Sequence, residues 1–347
     1  MTDAPLTVSA PGKLFLIGEY AVLDGAPALL TAVDRRVRVT LAPSARWRIS
    51  APNLGLEGIT LAADACLPAD IDDRTRTRLA VFDAVRAHIA EHIGLPGPQA
   101  VTIDSHDFAR DGHKLGLGSS AAVAAALTRA LAHAAGAALP TDALARLAID
   151  AHRRAQNGAG SGGDVAAAVY GGLISYTRDR PPTPLSWPAS LVLRIVITGT
   201  GARTADLVAR VRAYAQHDPD AHAAAIARLS ALADEAQHAL AEDARFLRLA
   251  EAYHQALRAL DHGADAGIVE PHHETLHTLA ARYNAVFKTS GAGGGDVGLV
   301  FVHRGEDDRR VCEAFAETGA QIVPMAFGAP GVRIESATAD ARARLLY

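Results

Sequence analysis

The stretch that decides the fold is KLGLGSSAAVAAA, residues 114–126. Two spaced glycines and then two serines lead directly into an alanine-rich run that has no helix breaker before Gly136. Glycine lets a backbone approach a phosphate closely, and the free N–H groups of a first helical turn point at such an anion. The serine hydroxyls can cap the helix, bind phosphate oxygens or bind a metal ion. The stretch therefore indicates either an anion-binding loop or a serine-capped core helix, and other segments must decide between them.

Two further glycine-rich loops follow along the chain, NGAGSGGD at 157–164 and KTSGAGGGD at 288–296. Each is bounded by helix or strand signals and carries Ser, Lys or Asp. One such loop is commonly a turn, whereas three of them suggest one shared phosphate site. Phosphoryl transfer needs amides around the nucleotide phosphates, a hydroxyl for Mg²⁺, a cation near the transferred group and a carboxylate at the acceptor.

The chain offers a candidate for each of these parts. The amides of residues 116–120 could hold phosphates, Ser120 could bind Mg²⁺, Lys13 could supply the cation and Asp164 the carboxylate. Each also has a purely structural alternative. Lys13 could be a solvated turn lysine, and Asp164 could cap the helix that follows it. Spacing alone leaves these alternatives open.

Length and composition limit the class of protein. A chain of 347 residues with 49% hydrophobic and 21% charged residues suits two domains with sizeable cores. The net charge of −4 argues against nucleic acid as the main partner. The first residues lack a signal-peptide layout and no apolar run reaches membrane-spanning length, so we expect no membrane partner and a cytoplasmic location.

Cysteines and histidines give no sign of a metal centre at this level. Cys66 and Cys312 are far apart, which favours two free thiols in a reducing compartment. Fifteen histidines are scattered, and no H-E-x-x-H or comparable ligand set is found. We therefore do not expect a histidine metal site.

Strand and helix signals alternate along the chain and predict an α/β protein. Residues 6–20 indicate a strand interrupted at a Pro-Gly break, and the apolar spacing of 76–93 is helical. Thr141 or Asp142 is a plausible cap for the helix that follows Pro140. The proline-rich segment PPTPLSWP at 181–188 is the best candidate for a domain boundary.

The chain resembles the GHMP small-molecule kinase family over nearly its whole length. Three motifs match in the family's order and spacing: APGKLFLIGEYAVLDG (10–25), KLGLGSSAA (114–122) and KTSGAGGGDVGL (288–299). The resemblance implies a two-domain α/β fold, with an ATP-binding domain over 1–187 and a ferredoxin-like domain over 188–347. It also implies ATP and Mg²⁺ as cofactors, a small-molecule substrate, and a monomer or homodimer.

The resemblance also implies a role for individual residues. Lys13 and Asp164 would be the catalytic pair, and Ser120 would be a Mg²⁺ ligand. The residues that would bind the nucleotide are Lys114, Gly116, Leu117, Gly118, Ser119, Ser120 and Ala121. Those that would contact the acceptor are Glu19, Tyr20, Ser161, Gly162, Gly291, Ala292, Gly293 and Gly294.

Details within the family concern the acceptor. Lys114, Tyr20 and the segment 151–172 are similar to the members that phosphorylate 5-phosphomevalonate. The implied reaction moves the γ-phosphoryl group of ATP to the substrate phosphate and gives 5-diphosphomevalonate and ADP. Those members often carry a lysine where Gly158 stands, and an aromatic residue where Gly163 stands. The cations that could compensate are Arg153, Arg154, Lys114, His113 and Lys288.

Two alternatives remain at this level. One is a mevalonate kinase or another family member with an alcohol acceptor, in which Asp164 would be a candidate base. With a phosphate acceptor, already anionic near neutral pH, Asp164 would orient the substrate instead. The other alternative is a non-catalytic nucleotide-binding regulator on the same fold, which the joint presence of Lys13, Ser120 and Asp164 disfavours.

Overall fold

The computed structural model describes residues 4–110, 113–158, 160–198, 204–295 and 297–336, and within these ranges the side chain of His113 is not described. The strands are β1 (Leu6–Ile17), β2 (Ala28–Pro43), β3 (Arg48–Ala51), β4 (Leu56–Thr60), β5 (Gln99–Asp104), β6 (Ala109–Arg110), β7 (His113–Lys114), β8 (Leu173–Tyr176), β9 (Thr183–Leu185), β10 (Leu191–Ile197), β11 (Val286–Thr289), β12 (Val297–His303), β13 (Gln321–Val323) and β14 (Arg333–Ile334). The helices are α1 (Asp73–Arg78), α2 (Ala80–His92), α3 (Ser119–Ala134), α4 (Thr141–Ala155), α5 (Gly163–Tyr170), α6 (Thr204–His217), α7 (Pro219–Ala239), α8 (Asp243–Ala264), α9 (Pro271–Ala281) and α10 (Glu306–Glu317). The predicted α/β class is confirmed.

The first sheet is organised around the long strand β2. Its described strands run in the order β14-β1-β2-β5-β3-β4, and β8 and β9 extend it beside the first half of β2. The alternating residues Val37, Val39 and Leu41 of β2 are buried, as their period of two predicts. Helices α3 and α5 pack on β1 and β2, and α2 and α4 pack on α3. The many alanines of α3 let it approach the sheet closely.

The predicted break in the first strand is wrong. β1 continues through Pro11 and Gly12, where its register with β2 shifts. A bulge of this kind lets a strand absorb a proline that cannot donate to the ladder. Lys13 is therefore a strand residue, paired with Ala32 of β2, and reaches the site without a turn.

Of the alternatives left open for Ser119 and Ser120 the structure does not show the helix cap, and the cap predicted at Thr141 or Asp142 is wrong. Gly118 is the N-cap of α3, so Ser119 and Ser120 are its first helical residues. Pro140 is the N-cap of α4 and provides no side-chain cap, so neither Thr141 nor Asp142 fills that position. The helix predicted over 76–93 is divided at Leu79 into α1 and α2. A cap depends on the backbone angles of one residue, which residue type alone does not determine.

The second sheet is antiparallel, with the order β11-β12-β10-β13. Helices α6, α7 and α8 pack together after β10, whereas α9 packs on β11 and α10 on β12 and β13. The succession of a strand, helices, two strands, a helix and a last strand is consistent with a ferredoxin-like arrangement. None of the described helices is long and apolar enough to cross a membrane.

The segment predicted as a domain boundary is a packed junction. Part of it forms β9, and the Trp187 ring lies 5.7 Å from the ring of Phe246 and 5.4 Å from that of Phe327. The division at 187/188 stays a prediction.

The last described strand returns to the first sheet, where Ser9 pairs with Arg333. The buried Arg36 guanidinium fixes this return by donating to the carbonyl oxygens of Pro330 and Gly331 at 2.7 and 2.8 Å. The end of the described chain thus contributes a strand to the first sheet, which a single division of the chain at 187/188 does not describe.

Candidate active site

A cavity of about 1630 Å³ lies between the first sheet with its helices and the second half of the chain. Residues of all three glycine-rich loops line it, together with the face of α6 and the turn before β13. Sequence-predicted residues on its wall are Lys13, Glu19, Tyr20, Lys114, Gly116, Leu117, Gly118, Ser119, Ser120, Ser161, Asp164, Gly291, Ala292 and Gly293. The fold therefore gathers motifs that are far apart in sequence around one space.

The loop before α3 is fixed by the backbone of β1. The N–H of Lys13 donates to the carbonyl oxygen of Leu117 at 2.9 Å. Gly118 adopts φ 77°, and a Cβ at this position would lie 2.8 Å from Cε of Lys13. Glycine suits this position for two reasons: it readily adopts a positive φ, and it has no Cβ that would clash with Lys13. The first N–H groups of α3 thus open into the cavity beside the Lys13 side chain, which suits a bound anion.

Ser120 is held at the start of α3 by a residue of α4. Its Oγ lies 3.1 Å from Nε2 of His152, and that nitrogen lies 3.4 Å from Nε2 of Gln156. His152 thus fixes the position of the Ser120 hydroxyl at the start of α3, and Ser120 lies on the cavity wall. Oxygen donors of this kind fit Mg²⁺.

Lys13 links the loops of the second and third motifs. Its side chain is 9% exposed and runs along Gly118. Its Nζ lies 5.4 Å from the centre of the Phe15 ring and would be 3.9 Å from a Cβ at Gly291. The ammonium group is therefore placed where two glycine loops meet.

Asp164 is the second residue of α5 and faces the same cavity. Its Oδ1 accepts from the backbone N–H of Val165 at 2.9 Å, so it does not cap the helix, whose N-cap is Gly162. The preceding turn is held through the carbonyl oxygen of Ser161, which accepts from Arg153 Nη2 and Tyr176 OH, both at 2.8 Å. These two bonds position the helix terminus that carries the carboxylate.

A buried ion pair joins the first motif to the third. Nζ of Lys288 donates to Oε1 of Glu19 at 2.5 Å, and both side chains are almost fully buried. The hydroxyl of Tyr253 donates to the carbonyl oxygen of Glu19 at 2.7 Å. Burial raises the pKa of the Glu19 carboxyl and lowers the pKa of the Lys288 ammonium. The pair thus fixes the turn after β1 against β11.

The third loop is attached to the first motif by two side chains. Ser290 Oγ donates to the carbonyl oxygen of Phe15 at 2.9 Å and accepts from the N–H of Phe15 at 3.1 Å. The hydroxyl of Tyr20 donates to the carbonyl oxygen of Ala292 at 2.6 Å. These bonds hold the loop 290–292 over Lys13.

The far end of the third loop is held by the second half of the chain. Gly294 N–H donates to the carbonyl oxygen of Ile268 at 3.1 Å, and a Cβ at Gly293 would clash with that oxygen. The hydroxyl of Thr198 donates to the carbonyl oxygen of Gly295 at 2.6 Å. Nε2 of His273 lies 3.4 Å from the Thr198 hydroxyl. Side chains of several elements thus determine the path of this loop.

Some predicted residues do not face the cavity. Ala121 lies in the buried face of α3, and neither Gly162 nor Gly294 is on the described wall. Ala159 and Asp296 of the glycine loops lie outside the described residues.

The cations considered in place of a lysine at Gly158 are distributed differently. Lys114 lines the cavity, whereas Lys288 is paired with Glu19. Arg153 pairs with Asp179 at 3.3 Å, and Arg154 pairs with Glu91 at 2.8 Å. The position of the His113 side chain lies outside the described part of the chain.

Sequence reasoning missed several residues of the wall. His152 and Gln156 sit one turn apart on α4 and its end, and no motif links them to Ser120. Arg212 and Thr198 line the cavity from segments without a glycine-rich signal. The spacing of His152 and Gln156 just before the second glycine loop was the one available hint.

The chain is similar to known proteins both in sequence and in fold. Residues 80–172 match the family described as GHMP kinases N terminal domain. The chain is 32% identical to a phosphomevalonate kinase of Streptomyces sp. (strain CL190), over 87% of this chain and 91% of that protein. It is 29% identical to a mevalonate kinase of Aeropyrum pernix, over 94% of this chain and 97% of that protein. The structure of Streptococcus pneumoniae phosphomevalonate kinase in complex with phosphomevalonate and AMPPNP has the same fold, with a TM-score of 0.74 and 20% identity. The match covers 92% of this chain and 99% of that one.

Proposed function

Because the chain belongs to the GHMP kinase family and is an ATP-dependent phosphotransferase of mevalonate metabolism, we propose that its acceptor is 5-phosphomevalonate. The γ-phosphoryl group of ATP moves to an oxygen of the substrate phosphate. The bond between the γ-phosphorus of ATP and the β,γ-bridging oxygen breaks, and the products are ADP and 5-diphosphomevalonate.

The observation that carries the proposal is the charge on the cavity wall. Its described Lys and Arg residues are Lys13, Arg110, Lys114 and Arg212. Its described carboxylates are Glu19, which is paired with Lys288, and Asp164. This surplus of positive charge suits an acceptor that brings a phosphate in addition to a carboxylate. The relative of 32% identity, a phosphomevalonate kinase, supports the same choice.

The geometry suggests a separate role for each group of residues at the site. The amides that open α3 and the loop at Gly118 hold the triphosphate. Lys13, between that loop and Gly291, stabilises charge on the transferred group. A phosphate acceptor is largely ionised near neutral pH and needs no strong base, so Asp164 orients the acceptor rather than removing a proton. We propose that 1–187 supplies most of the nucleotide site and 188–347 closes over it.

Mg²⁺ fits the site through the hydroxyl of Ser120, an oxygen ligand on the cavity wall whose position is fixed by the contact with His152. When bound, Mg²⁺ neutralises charge on the nucleotide phosphates during transfer. His152 and Gln156 act by fixing the position of the Ser120 hydroxyl.

Mevalonate is the second candidate acceptor. Gly158 stands where a lysine is often found in the kinases that act on phosphomevalonate, and the Aeropyrum pernix relative is a mevalonate kinase. With this acceptor Asp164 would take the proton of the attacking hydroxyl.

Parallel initial-rate assays with ATP and each acceptor test the proposal. We expect kcat/KM for 5-phosphomevalonate to exceed that for mevalonate by about tenfold or more, because the cations of the cavity wall lose their contacts with the substrate phosphate when mevalonate is bound. Lys114→Met, which removes one cation of the cavity wall, should raise KM for 5-phosphomevalonate by a larger factor than KM for mevalonate. Turnover of mevalonate alone would overturn the proposal.

A further inference from the structure

One face of α2 carries a group of potential metal ligands outside the kinase cavity. His88, Glu91 and His92 are spaced i, i+3 and i+4, so they project from the same side of the helix. Their ligand atoms all lie within 4.8 Å of one another. The order of these residues, H-x-x-E-H, is the reverse of the H-E-x-x-H motif and likewise places two histidines one helical turn apart.

His88 is the unusual member of the group. It is 4% exposed, and within the described residues neither of its ring nitrogens has a hydrogen-bond partner. Its Nδ1 lies 4.0 Å from Oε2 of Glu91. The ring forms part of the wall of a surface pocket of about 460 Å³, together with His92 and Asp150. A buried imidazole without a partner is costly, so an unfilled coordination position explains it better than packing does.

His92 is oriented as a metal ligand requires. Its Nδ1 lies 2.9 Å from the backbone carbonyl oxygen of His88. A carbonyl oxygen only accepts, so Nδ1 carries the proton and Nε2 of the neutral ring keeps its lone pair. A backbone carbonyl that fixes the tautomer in this way is a common support for a metal-bound histidine.

Glu91 has a second neighbour besides the two histidines. Its Oε2 accepts a hydrogen bond from Nη1 of Arg154 at 2.8 Å, and both side chains are about half exposed. A metal ion at this site would therefore share the carboxylate with Arg154 or displace the exposed guanidinium.

We propose that His88, Glu91 and His92 form a binding site for a divalent transition metal of the Zn²⁺ class. Two imidazole nitrogens and one carboxylate oxygen leave one tetrahedral position for solvent. This mixed donor set selects against Mg²⁺ and Ca²⁺, which prefer oxygen ligands alone. None of the three residues is on the described wall of the kinase cavity, so the site does not depend on the proposed kinase function.

Calorimetric titration of the metal-free full chain with Zn²⁺, without nucleotide, tests the site. His92 is exposed, so His92→Ala should fold normally while it removes one ligand. We expect this variant to bind Zn²⁺ at least about tenfold more weakly, and millimolar Mg²⁺ not to displace the ion from the wild type. The matched control is His133→Ala, an exposed histidine in the last turn of α3, which should bind as the wild type does.

A second group of possible ligands lies on α8 and α9 and is the competing site in this experiment: His254, Glu274 and His277. Zn²⁺ binding that survives His92→Ala unchanged, or that is lost in His277→Ala instead, would overturn the proposal. Absence of Zn²⁺ binding to the wild type would overturn it as well. Circular dichroism of each variant separates a lost ligand from a lost fold.

Discussion

The loop before α3 and the loop between β11 and β12 line the same cavity but are held in different ways. The first is held by backbone bonds, among them the one from the N–H of Lys13 to the carbonyl oxygen of Leu117, and by the helix that continues from it. The second depends in addition on side chains of other elements, such as the Tyr20 hydroxyl, which donates to the carbonyl oxygen of Ala292, 272 residues away. Backbone contacts therefore account for most of the position of the first loop, whereas the second loop also needs particular side chains that are distant in sequence. The second loop should be the more sensitive of the two to changes elsewhere.

The largest effect is expected from Lys288→Met, which removes the cation under the second loop. It would leave Glu19 buried without its partner, and Oε2 of this carboxyl already lacks a hydrogen bond within the described residues. Loss of one member of a buried pair costs about 3–5 kcal/mol, which urea denaturation would measure. The double variant Glu19→Gln, Lys288→Met should recover part of this loss.

The control for this experiment is Arg309→Ala, which breaks exposed pairs on α10 with Glu306 and Glu313. It should leave the denaturation midpoint nearly unchanged, because exposed pairs contribute little. Equal effects of the buried and the exposed change would show that the second loop does not depend on the buried pair.

The next effect is expected from Lys13→Met, which alters the residue that contacts both loops. Loss of one group that stabilises transition-state charge typically lowers kcat by about 10²–10³-fold. The methionine keeps the apolar contact with Gly118, so the affinity for nucleotide and the denaturation midpoint should change little. Steady-state kinetics and nucleotide titration measure the two quantities. An unchanged kcat would remove Lys13 from the catalytic assignment.

The smallest effect is a pH dependence that arises beside the second loop. Burial lowers the pKa of His273 to about 4, and this residue supports Thr198, which holds Gly295. Between pH 6.5 and about 4 the unfolded chain takes up a proton that the folded chain does not. Stability is therefore complete above about pH 6.5 and declines as the pH falls, by at most about 1.4 kcal/mol per pH unit from this group.

Urea midpoints between pH 4.5 and 7 check this slope, which should be shallower in His273→Gln. His254, with a pKa lowered by burial to about 3, adds a decline of the same sign in both proteins. Amide hydrogen exchange sharpens the comparison, because protection of 290–295 should be lost on acidification before that of 116–121. Identical slopes for the two proteins would contradict the expectation.

The sequence predicts what depends on neighbouring residues. The glycine spacing before α3, the alternation in β2 and the positions of most helices follow from local pattern. The three motifs also identify which loops share a site. Pairings between distant residues do not follow from such patterns, and Glu19 with Lys288, 269 residues apart, is the clearest case.

Other errors have a similarly physical origin. Pro11 suggests a break, but pairing with β2 on one side keeps the strand continuous through a bulge. The serines after Gly118 suggest a cap, but the left-handed glycine takes that position. The H-x-x-E-H spacing from His88 to His92 lies outside the H-E-x-x-H pattern, yet both spacings place two histidines one helical turn apart on the same helix face.

The return of β14 to β1 has a consequence for the order in which the protein is made. Ser9 and Glu335, 326 residues apart, are joined by a hydrogen bond at this edge of the first sheet. At a synthesis rate of about 5–20 residues per second, β1 and Arg36 are made on the order of half a minute before β14 and the carbonyl groups of Pro330 and Gly331 that they contact. Throughout that interval the nascent chain carries an open sheet edge, the kind of surface that other chains can pair with. Synthesis of the segment that contains β14, rather than completion of the glycine loops, is thus the event that allows this edge of the first sheet to close.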